Sequence, residues 1–289
     1  QNMTSVLKDS LMPNKFCTLY IYTYIGVTHR QFSVYVLGLN IQCRRNMFLL
    51  TVFAAIIGFA YCAQNADILW LYQHKTAGDG TYYGTGTGGM CQFPPPDLPP
   101  VAKTHGMRLV ALNAPQMHAS LGCGMCFTVH ASGKGSGANP IRGDFKVFVK
   151  DVCPECHAGS LDFAENGDGR WAIEIQAVQC PVGNTKIEYK FQGSNPWYLK
   201  LQTRNSRLPA TEVAVFQPHS QRWERMKRSA DGFWLMGDGT WERPVQTPIH
   251  VRLTAPNGET IEDRIPNIQN DVVIHGNGVQ FSLDAHLPH

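Results

Sequence analysis

The placement of the cysteines constrains the fold of this chain more than any other feature. Six of the nine cysteines lie between positions 91 and 180, and they include two C-x-x-C pairs, Cys123/Cys126 and Cys153/Cys156. An even set in a secreted chain indicates three disulfides, whereas the same spacing in the cytosol would indicate a zinc ribbon. No cysteine follows Cys180. Only one half of the chain therefore needs covalent bracing, and we infer two domains.

The apolar segment 47–63 predicts that the chain is secreted. It follows Arg44 and Arg45, has about the length of a signal-peptide core, and ends in small residues suited to cleavage. It is shorter than the roughly 20 apolar residues that span a bilayer as a helix. We expect 47–63 to be a cleaved signal peptide, Met47 to be the true start, and residues 1–46 to be upstream sequence. The alternatives are an uncleaved anchor and a genuine pro-region.

The charge balance argues against one class of partner. Residues 1–63 hold five Lys or Arg and one acidic residue, whereas the rest of the chain holds 20 basic and 21 acidic residues. A nearly neutral mature protein gives no support for binding nucleic acid. The basic run Arg222–Arg228 is interpreted as a solvated face, with contact to an acidic polysaccharide as the alternative. Phosphate-loop and metalloprotease signatures are absent from the sequence, so we expect no cofactor and no metal.

Short alternating segments predict β-structure in both halves of the chain. In 77–188, the segments CFTVHA, DFKVFVKDV and WAIEIQAVQC are separated by glycine-rich turns, which favours a closed barrel. LVALNAPQMHAS is expected to contain a short helix with Pro115 near its start. In 189–284, six further strand-like segments, among them WYLKLQTR, TEVAVFQ and VQFSL, indicate an antiparallel sandwich.

Two aspartates flank the second C-x-x-C pair. Asp151 ends the alternating segment before Cys153, and Asp162 follows the turn. Two carboxylates around one turn indicate polysaccharide chemistry, in which one acid protonates a glycosidic oxygen. The alternative is that each aspartate only caps the turn beside it by accepting hydrogen bonds from backbone N–H groups.

Five motifs, in order, resemble those of the expansin family and are closest to microbial expansin-like proteins and loosenins. They are TYYGTGTGG, CGMC, DVCPECHAGSLD, QAVQC and WYLKLQTRNSRLPATEVAVF, and they cover about 80–284. The resemblance implies an all-β chain, in which a six-stranded double-psi β-barrel related to glycoside hydrolase family 45 is followed by an immunoglobulin-like, cellulose-binding β-sandwich. It also implies three disulfides, Cys91–Cys123, Cys126–Cys180 and Cys153–Cys156.

The same resemblance gives roles to the residues of a groove on the barrel. The residues that match it are Asp162, Asp151, Thr81, Tyr83 and Thr85. Asp162 matches the carboxylate that is the general acid of the hydrolases and that expansins need for loosening. Asp151 matches a second groove residue, and the three residues of the TYYGT segment match the groove floor.

The sequence predicts that the groove does not cut its substrate. An inverting glycosidase needs a second carboxylate roughly 6.5–9.5 Å from the acid. Gly84 and Thr85 stand where the hydrolases have that base, and the nearest acid, Asp79, is expected at the rim. We therefore expect no catalytic residue. The alternative is a weak inverting endo-β-1,4-glucanase in which Asp79 or another carboxylate is the base.

The resemblance further implies an exposed aromatic row on the second domain, where rings stack on glucan. Trp197 and Tyr198 match two positions of the row, but the third falls near Ala230, so Phe233 or Trp234 is expected to substitute. Adjacent residues of a regular strand face opposite ways. Trp197 and Tyr198 can therefore share a surface only if the chain is irregular there.

A basic residue accompanies the aromatic row in bacterial relatives, and Gln192 stands at that place, with Lys190 nearby. The leading hypothesis is a secreted monomer that binds cellulose or matrix polysaccharide and loosens it by disrupting non-covalent contacts. A second alternative is a defence-type barrel that binds carbohydrate and has no mechanical effect.

Overall fold

The structure of the protein is a computed structural model that describes residues 23–28, 31–36, 65–86, 88–237 and 243–289. The chain divides into two units, Gln1–Ala55 and Ile56–His289. In the first unit, the described residues form an antiparallel pair of strands, β1 (Thr23–Thr28) and β2 (Gln31–Val36). The predicted signal peptide 47–63 lies outside the described residues. Over the described ranges, no helix is both long and apolar enough to cross a membrane.

The second unit contains a closed barrel, which follows a helix, α1, over 65–73. The six strands of the barrel are β3 (Thr76–Tyr82), β4 (Arg108–Asn113), β5 (Cys126–Ser136), β6 (Arg142–Cys153), β7 (Leu161–Phe163) and β8 (Arg170–Val178). They close in the order β3-β7-β4-β6-β5-β8, with β3·β7 and β4·β6 parallel and the other pairs antiparallel. The predicted six-stranded double-psi barrel is confirmed.

Alternating residues of the long strands fill the barrel interior. Side chains on successive residues of a strand point to opposite faces, so the apolar positions of β5 and β8 share the inner face. The residues buried there are Phe127, Val129, Ala131, Trp171, Ile173 and Ile175. Burying a large apolar side chain contributes about 1.5–3 kcal/mol. The polar alternates, such as His130, remain at the surface.

The segment LVALNAPQMHAS contains a strand before its helix, which the sequence reading missed. β4 extends to Asn113, and the helix is only α3 (Ala114–Met117), the next helix after α2 (Pro100–Thr104). The Asn113 side chain accepts a hydrogen bond from the Gln116 backbone N–H at 3.0 Å and so caps the helix. Pro115 lies in its first turn, as predicted, and His118 ends it in a left-handed conformation, with φ of 44°.

Three disulfides brace the barrel: Cys91–Cys123, Cys126–Cys180 and Cys153–Cys156. These are the pairs that the resemblance implies. The first two close loops with sequence separations of 32 and 54 residues. Constraining the unfolded chain over such loops contributes about 4 kcal/mol for each bond. The third spans three residues and shapes the turn after β6.

Two sheets form the second part of this unit, and the predicted β-sandwich is confirmed. The five-stranded sheet has the order β13-β14-β10-β9-β17, and the four-stranded sheet has the order β12-β11-β15-β16. Their strands are β9 (Glu188–Phe191), β10 (Leu199–Arg204), β11 (Glu212–Gln217), β12 (Arg222–Arg225), β13 (Lys227–Arg228), β14 (Trp234–Met236), β15 (Ile249–Thr254), β16 (Thr260–Ile265) and β17 (Val273–His275). The core includes Leu199, Leu201, Val213, Val215, Val251 and Leu253.

The predicted last strand, VQFSL at 279–283, is wrong. Phe281 is buried, but the chain there lies outside any sheet. The Gln280 side chain accepts a hydrogen bond from the Arg207 backbone N–H at 2.9 Å. Side-chain contacts therefore hold this apolar segment in place of a strand ladder, and alternation alone cannot distinguish the two. The last strand is β17, which pairs with β9.

Polar side chains join the barrel to the five-stranded sheet. Arg204 of β10 is fully buried, and its guanidinium donates to the backbone carbonyl of Asp97 in the proline-rich loop. Lys190 of β9 forms an ion pair with the same aspartate at 2.6 Å. Gln202 of β10 donates to the Cys91 carbonyl at 2.8 Å. These contacts set the position of the groove relative to the sandwich.

Candidate functional site

The floor of the groove comes from the parallel pairing of β3 with β7. Thr81 lies opposite Asp162 in this register. Its hydroxyl donates a hydrogen bond to Asp162 Oδ1 at 2.8 Å. Because the register of the barrel sets both side chains, Asp162 is oriented before any ligand binds. The resemblance placed these two residues together.

Asp162 lies half-buried in the groove, and its charge is poorly solvated. Burial raises the pKa of the Asp162 carboxyl above its usual range, and the hydrogen bond from Thr81 opposes this rise. The charge of Glu155 raises the same pKa further, whereas the charge of Arg170 lowers it. A carboxyl with a raised pKa can donate a hydrogen bond at mildly acidic pH and accept one at higher pH.

Glu155 is the site residue that the sequence reading missed. A Glu155 oxygen, an Asp162 oxygen and the Cys153 sulfur all lie within 4.8 Å of one another. The sequence reading named Asp79 as the nearest acid and overlooked Glu155, which approaches Asp162 in the fold. The reason is the Cys153–Cys156 disulfide, which folds the turn so that its acidic residue faces β7. A C-x-x-C pair with an acid between its cysteines is the signal that could have found it.

The same three residues make a poor metal site. Cys153 is oxidised in a disulfide, so it offers no thiolate. Two carboxylates remain, whereas catalytic zinc usually has three protein ligands and calcium takes six to eight oxygens.

Asp151 is held by backbone groups at the end of β6. Its Oδ1 accepts hydrogen bonds from the N–H of Met90 at 2.7 Å and from its neighbour Val152 at 2.9 Å. Tyr83 lies near Asp151, and the residue remains 37% exposed. Burial raises the pKa of Tyr83, and the charges of Asp151 and Asp162 add to the rise. Asp151 therefore both caps its turn and lies near a tyrosine of the groove.

Asp79 lies at the barrel surface in ion pairs. Its Oδ2 is 2.9 Å from Arg170 Nη1 and 3.7 Å from His157 Nε2. Alternation along β3 places Asp79 on the same side of the strand as Thr81. The Arg170 guanidinium therefore occupies one oxygen of the Asp79 carboxylate.

Thr85 is the predicted groove residue with the least support. It lies in the exposed segment after β3. Over the part of the chain that the structure describes, no hydrogen bond joins its side chain to either aspartate of the groove. The prediction for Thr85 stays a prediction.

On the sandwich, Trp197 is the exposed aromatic residue of the predicted row. Its side chain is 52% exposed, whereas Tyr198 is only partly exposed. Both precede β10 in a tight turn, in which Asn195 and Tyr198 exchange backbone hydrogen bonds of 2.8 and 3.1 Å. The Asn195 side chain also accepts from the Trp197 N–H at 2.8 Å. The chain is thus irregular at this pair, as a shared surface would require.

Phe233 and Trp234 do not belong to an exposed row, which corrects the prediction. Their exposed fractions are 1% and 3%. Trp234 lies in β14, and the guanidinium of Arg228 lies over its ring, 4.9 Å from the centroid. Lys200 lies over the Phe233 ring, with its Nζ 4.7 Å from the centroid. Neither ring offers a free face to a sugar.

Lys200 is the basic residue next to the aromatic turn, whereas the sequence reading found Gln192 at the place of the family's basic residue, with Lys190 nearby. Its Nζ donates to Asp231 Oδ2 and to Gln192 Oε1, each at 2.5 Å. Lys190 instead contacts the proline-rich loop of the barrel. The hairpin between β9 and β10 explains the difference, because it pairs the Gln192 backbone N–H with the Lys200 carbonyl at 3.0 Å and so brings the two residues together.

The fold defines a class of protein, a double-psi barrel followed by a β-sandwich. The resemblance to expansins drawn from the motifs is supported by similarity to curated expansins and to solved expansin structures. The chain is 27% identical over 158 residues to expansin YoaJ of Bacillus subtilis (strain 168), covering 50% of this chain and 62% of that protein. It is 27% identical over 199 residues to expansin-like protein 6 of Dictyostelium discoideum, covering 62% of this chain and 63% of that protein. The matches thus span about three fifths of each relative.

Solved structures show the same fold. The crystal structure of the apo expansin of Clavibacter michiganensis matches with a TM-score of 0.58 at 22% identity, covering 73% of this chain and all of that one. A point mutant of that expansin, crystallised in complex with cellohexaose, matches with the same values. No family model matches the chain.

Proposed function

We propose that this protein is secreted and that it loosens cell-wall polysaccharide without hydrolysing it. The observation that supports this most directly is the oriented, half-buried Asp162 on the floor of the groove, hydrogen-bonded to Thr81. The proposed partner is cellulose or a matrix glycan, since a related expansin crystallises with cellohexaose. We propose no cofactor and no nucleic-acid partner, and we expect a monomer.

The groove can compete for the hydrogen bonds that hold glycan chains together. Asp162 supplies a carboxyl whose raised pKa lets it donate as well as accept. Tyr83 supplies an exposed ring beside it. Sugar hydroxyls that bind to these groups leave their partners on the neighbouring chain, and no covalent bond needs to break.

Trp197 supplies the affinity of the sandwich for glucan. An exposed aromatic ring buries the apolar face of a sugar without reading its identity. The pair Trp197 and Tyr198 is a shorter platform than the three aromatic residues that the resemblance implies. We therefore expect weaker cellulose binding than a three-ring row would give.

The spacing of the carboxylates argues against an inverting hydrolase. An inverting pair stands about 6.5–9.5 Å apart to leave room for a water. The nearest oxygens of Asp162 and Glu155 lie within 4.8 Å, and Asp79 is neutralised by Arg170. The gap between Asp162 and Glu155 is too short to hold a water between an inverting acid and its base.

A second candidate function is weak endo-β-1,4-glucanase activity, which the position of Glu155 favours. The separation from Asp162 is closer to the roughly 5–5.5 Å of retaining glycosidases than to the inverting range. In that case Glu155 would attack the anomeric carbon while Asp162 protonates the leaving oxygen. The inverting alternative with Asp79 as base has no support in this geometry.

One pair of assays separates loosening, cutting and simple binding. Reducing ends released from amorphous cellulose and mixed-linkage glucan are measured together with creep of a cellulose network under load. We expect creep without release in the wild type and loss of creep in Asp162→Asn. Release that falls in both Asp162→Asn and Glu155→Gln would establish hydrolysis. Binding without creep or release would leave a defence-type carbohydrate-binding barrel.

Secretion is tested by sequencing the N-terminus of the protein recovered from culture medium. We expect a start near Gln64, after the predicted signal peptide 47–63. Three disulfides are consistent with an oxidising compartment. Protein that stays in the cytosol with an intact N-terminus would contradict this part of the proposal.

A further inference from the structure

An apolar pocket of about 300 Å³ opens where the barrel meets the sandwich. Its apolar walls are the side chains of Met90, Met117, Val152, Ala114, Ala119 and Ala230. The pocket borders the groove, because the backbone N–H groups of two wall residues, Met90 and Val152, are the donors that hold Asp151. A glycan that lies across Asp151 would therefore place a substituent over this opening.

One cation lies in the wall of this pocket. The Arg228 guanidinium donates from Nε to Ser120 Oγ at 2.9 Å and from Nη2 to the Ser120 carbonyl at 2.5 Å. A guanidinium has five N–H donors. Over the described ranges, Arg228 forms no ion pair with a carboxylate, and burial lowers its pKa to about 9 while Asp231 opposes the fall. Donors of Arg228 thus remain available beside apolar walls.

The wall around Arg228 is shaped before any ligand binds. His118, Ala119 and Ser120 have φ values of 44°, 51° and 76°, three consecutive left-handed residues without a glycine. Such strain persists only where the surroundings hold it, and it concentrates at functional sites. Here Ser120 is held on both sides, because it also donates from Oγ to the Ser229 carbonyl at 2.6 Å.

We propose that this pocket binds an acyl ester group carried by the glycan in the groove. The acyl carbons pack against the methionine, valine and alanine side chains, and the ester carbonyl accepts a hydrogen bond from Arg228. An ester fits better than a free carboxylate, because apolar walls penalise a full charge more than a carbonyl. The inference rests on the proposed function and deepens it by naming the substrate class, O-acylated wall polysaccharide.

The test compares binding to one acetylated xylan preparation before and after mild alkaline deacetylation. We expect the wild type to bind the acetylated polymer about tenfold more tightly, the size of effect that one small apolar group has in a fitted pocket. Ala230→Leu and Ala114→Leu each fill the pocket from an exposed position. We expect both to lose the preference while binding the deacetylated polymer as the wild type does. Ala138→Leu, an exposed position on the barrel away from the pocket, is the matched control and should keep the preference.

Equal binding of the two polymers by the wild type would overturn the inference, as would a preference that survives both filling variants. Feruloylated oligosaccharides are tested in a parallel arm to identify which acyl group is favoured. A preference for either acyl group supports the inference if the filling variants abolish it.

Binding of deacetylated xylan and cellulose tests the proposed function separately. If that binding persists without a preference for esters, only this inference fails. If no glycan binds, the proposed function fails as well, and this inference fails with it.

Discussion

The barrel and the sandwich are similar in size but are held together differently. The barrel contains three disulfides and joins short strands by glycine-rich loops, whereas the sandwich has no cysteine after Cys180. The sandwich depends on a continuous apolar core between two sheets. The predicted groove residues lie on the braced part, while the described residues of the sandwich expose one large aromatic ring, that of Trp197. The disulfides thus lie in the barrel, the domain that also holds half-buried carboxylates in the predicted groove.

The largest effect should come from removing the long disulfide of the barrel. Replacing Cys126 and Cys180 by alanine should lower the free energy of unfolding by about 4 kcal/mol, because the closed loop spans 54 residues. The matched control replaces Cys153 and Cys156, whose loop spans three residues, and should cost about 2 kcal/mol. Urea denaturation measures both. Equal losses would show that local geometry, not loop length, sets the contribution.

A core truncation in the sandwich should have the next largest effect. Leu201 is fully buried in β10 and lies opposite Trp234 and Phe191. Leu201→Ala should lower the free energy of unfolding by about 3 kcal/mol through lost burial and the cavity left behind. Hydrogen exchange should show the loss in the sandwich strands first. If the barrel strands lose protection equally, the two parts unfold as one cooperative unit through their polar junction.

A smaller effect, on binding alone, is expected at the exposed ring. Trp197→Ala should weaken cellulose binding by about 1–2 kcal/mol, roughly five- to thirtyfold, because a stacking face is lost. Trp70 of α1, which is 43% exposed, provides the matched control on the barrel side. Trp70→Ala should leave cellulose binding unchanged. Depletion assays on crystalline cellulose measure both, and equal losses would mean that exposure alone makes a tryptophan bind.

The alternation of residues and the motifs predicted both folds and the Asp162–Thr81 pair. They failed where spatial neighbours are distant in sequence. Phe233 and Trp234 have the composition of a binding row, but both are buried, and the cations of Lys200 and Arg228 lie over their rings. Lys200 becomes the basic neighbour of Gln192 only across the β9–β10 pair. A single sequence does not reveal how strands pair and pack. That arrangement decides whether an aromatic residue is exposed or buried.

Glu155 shows a second kind of failure, because its position depends on a covalent turn. Its residue type and its place between two cysteines are visible in the sequence. Its approach to Asp162 depends on the conformation of the Cys153–Cys156 turn. Sequence spacing indicates that such a turn exists but not which way its side chains point.

The smallest expected effect concerns the charge of Asp162 and has a defined dependence on pH. Burial raises the pKa of this carboxyl in the folded protein, so ionising it destabilises the fold. The cost is absent below the unfolded pKa of about 3.9 and is fully present above the raised folded value. Asp162→Asn should therefore stabilise the protein at neutral pH by a small amount, because solvent screens the exposed part of this half-buried carboxyl. The gain should disappear as the pH falls towards 4.

Thermal unfolding across this pH range measures the difference in stability between Asp162→Asn and the wild type. The control is Asp168→Asn, at an exposed turn of the same barrel. A gain that does not depend on pH would mean that shape rather than charge is responsible. Asp162→Asn could be more stable than the wild type and yet no longer loosen cellulose. That outcome would show that the barrel tolerates an unfavourable charge at position 162 because the groove needs a proton donor there.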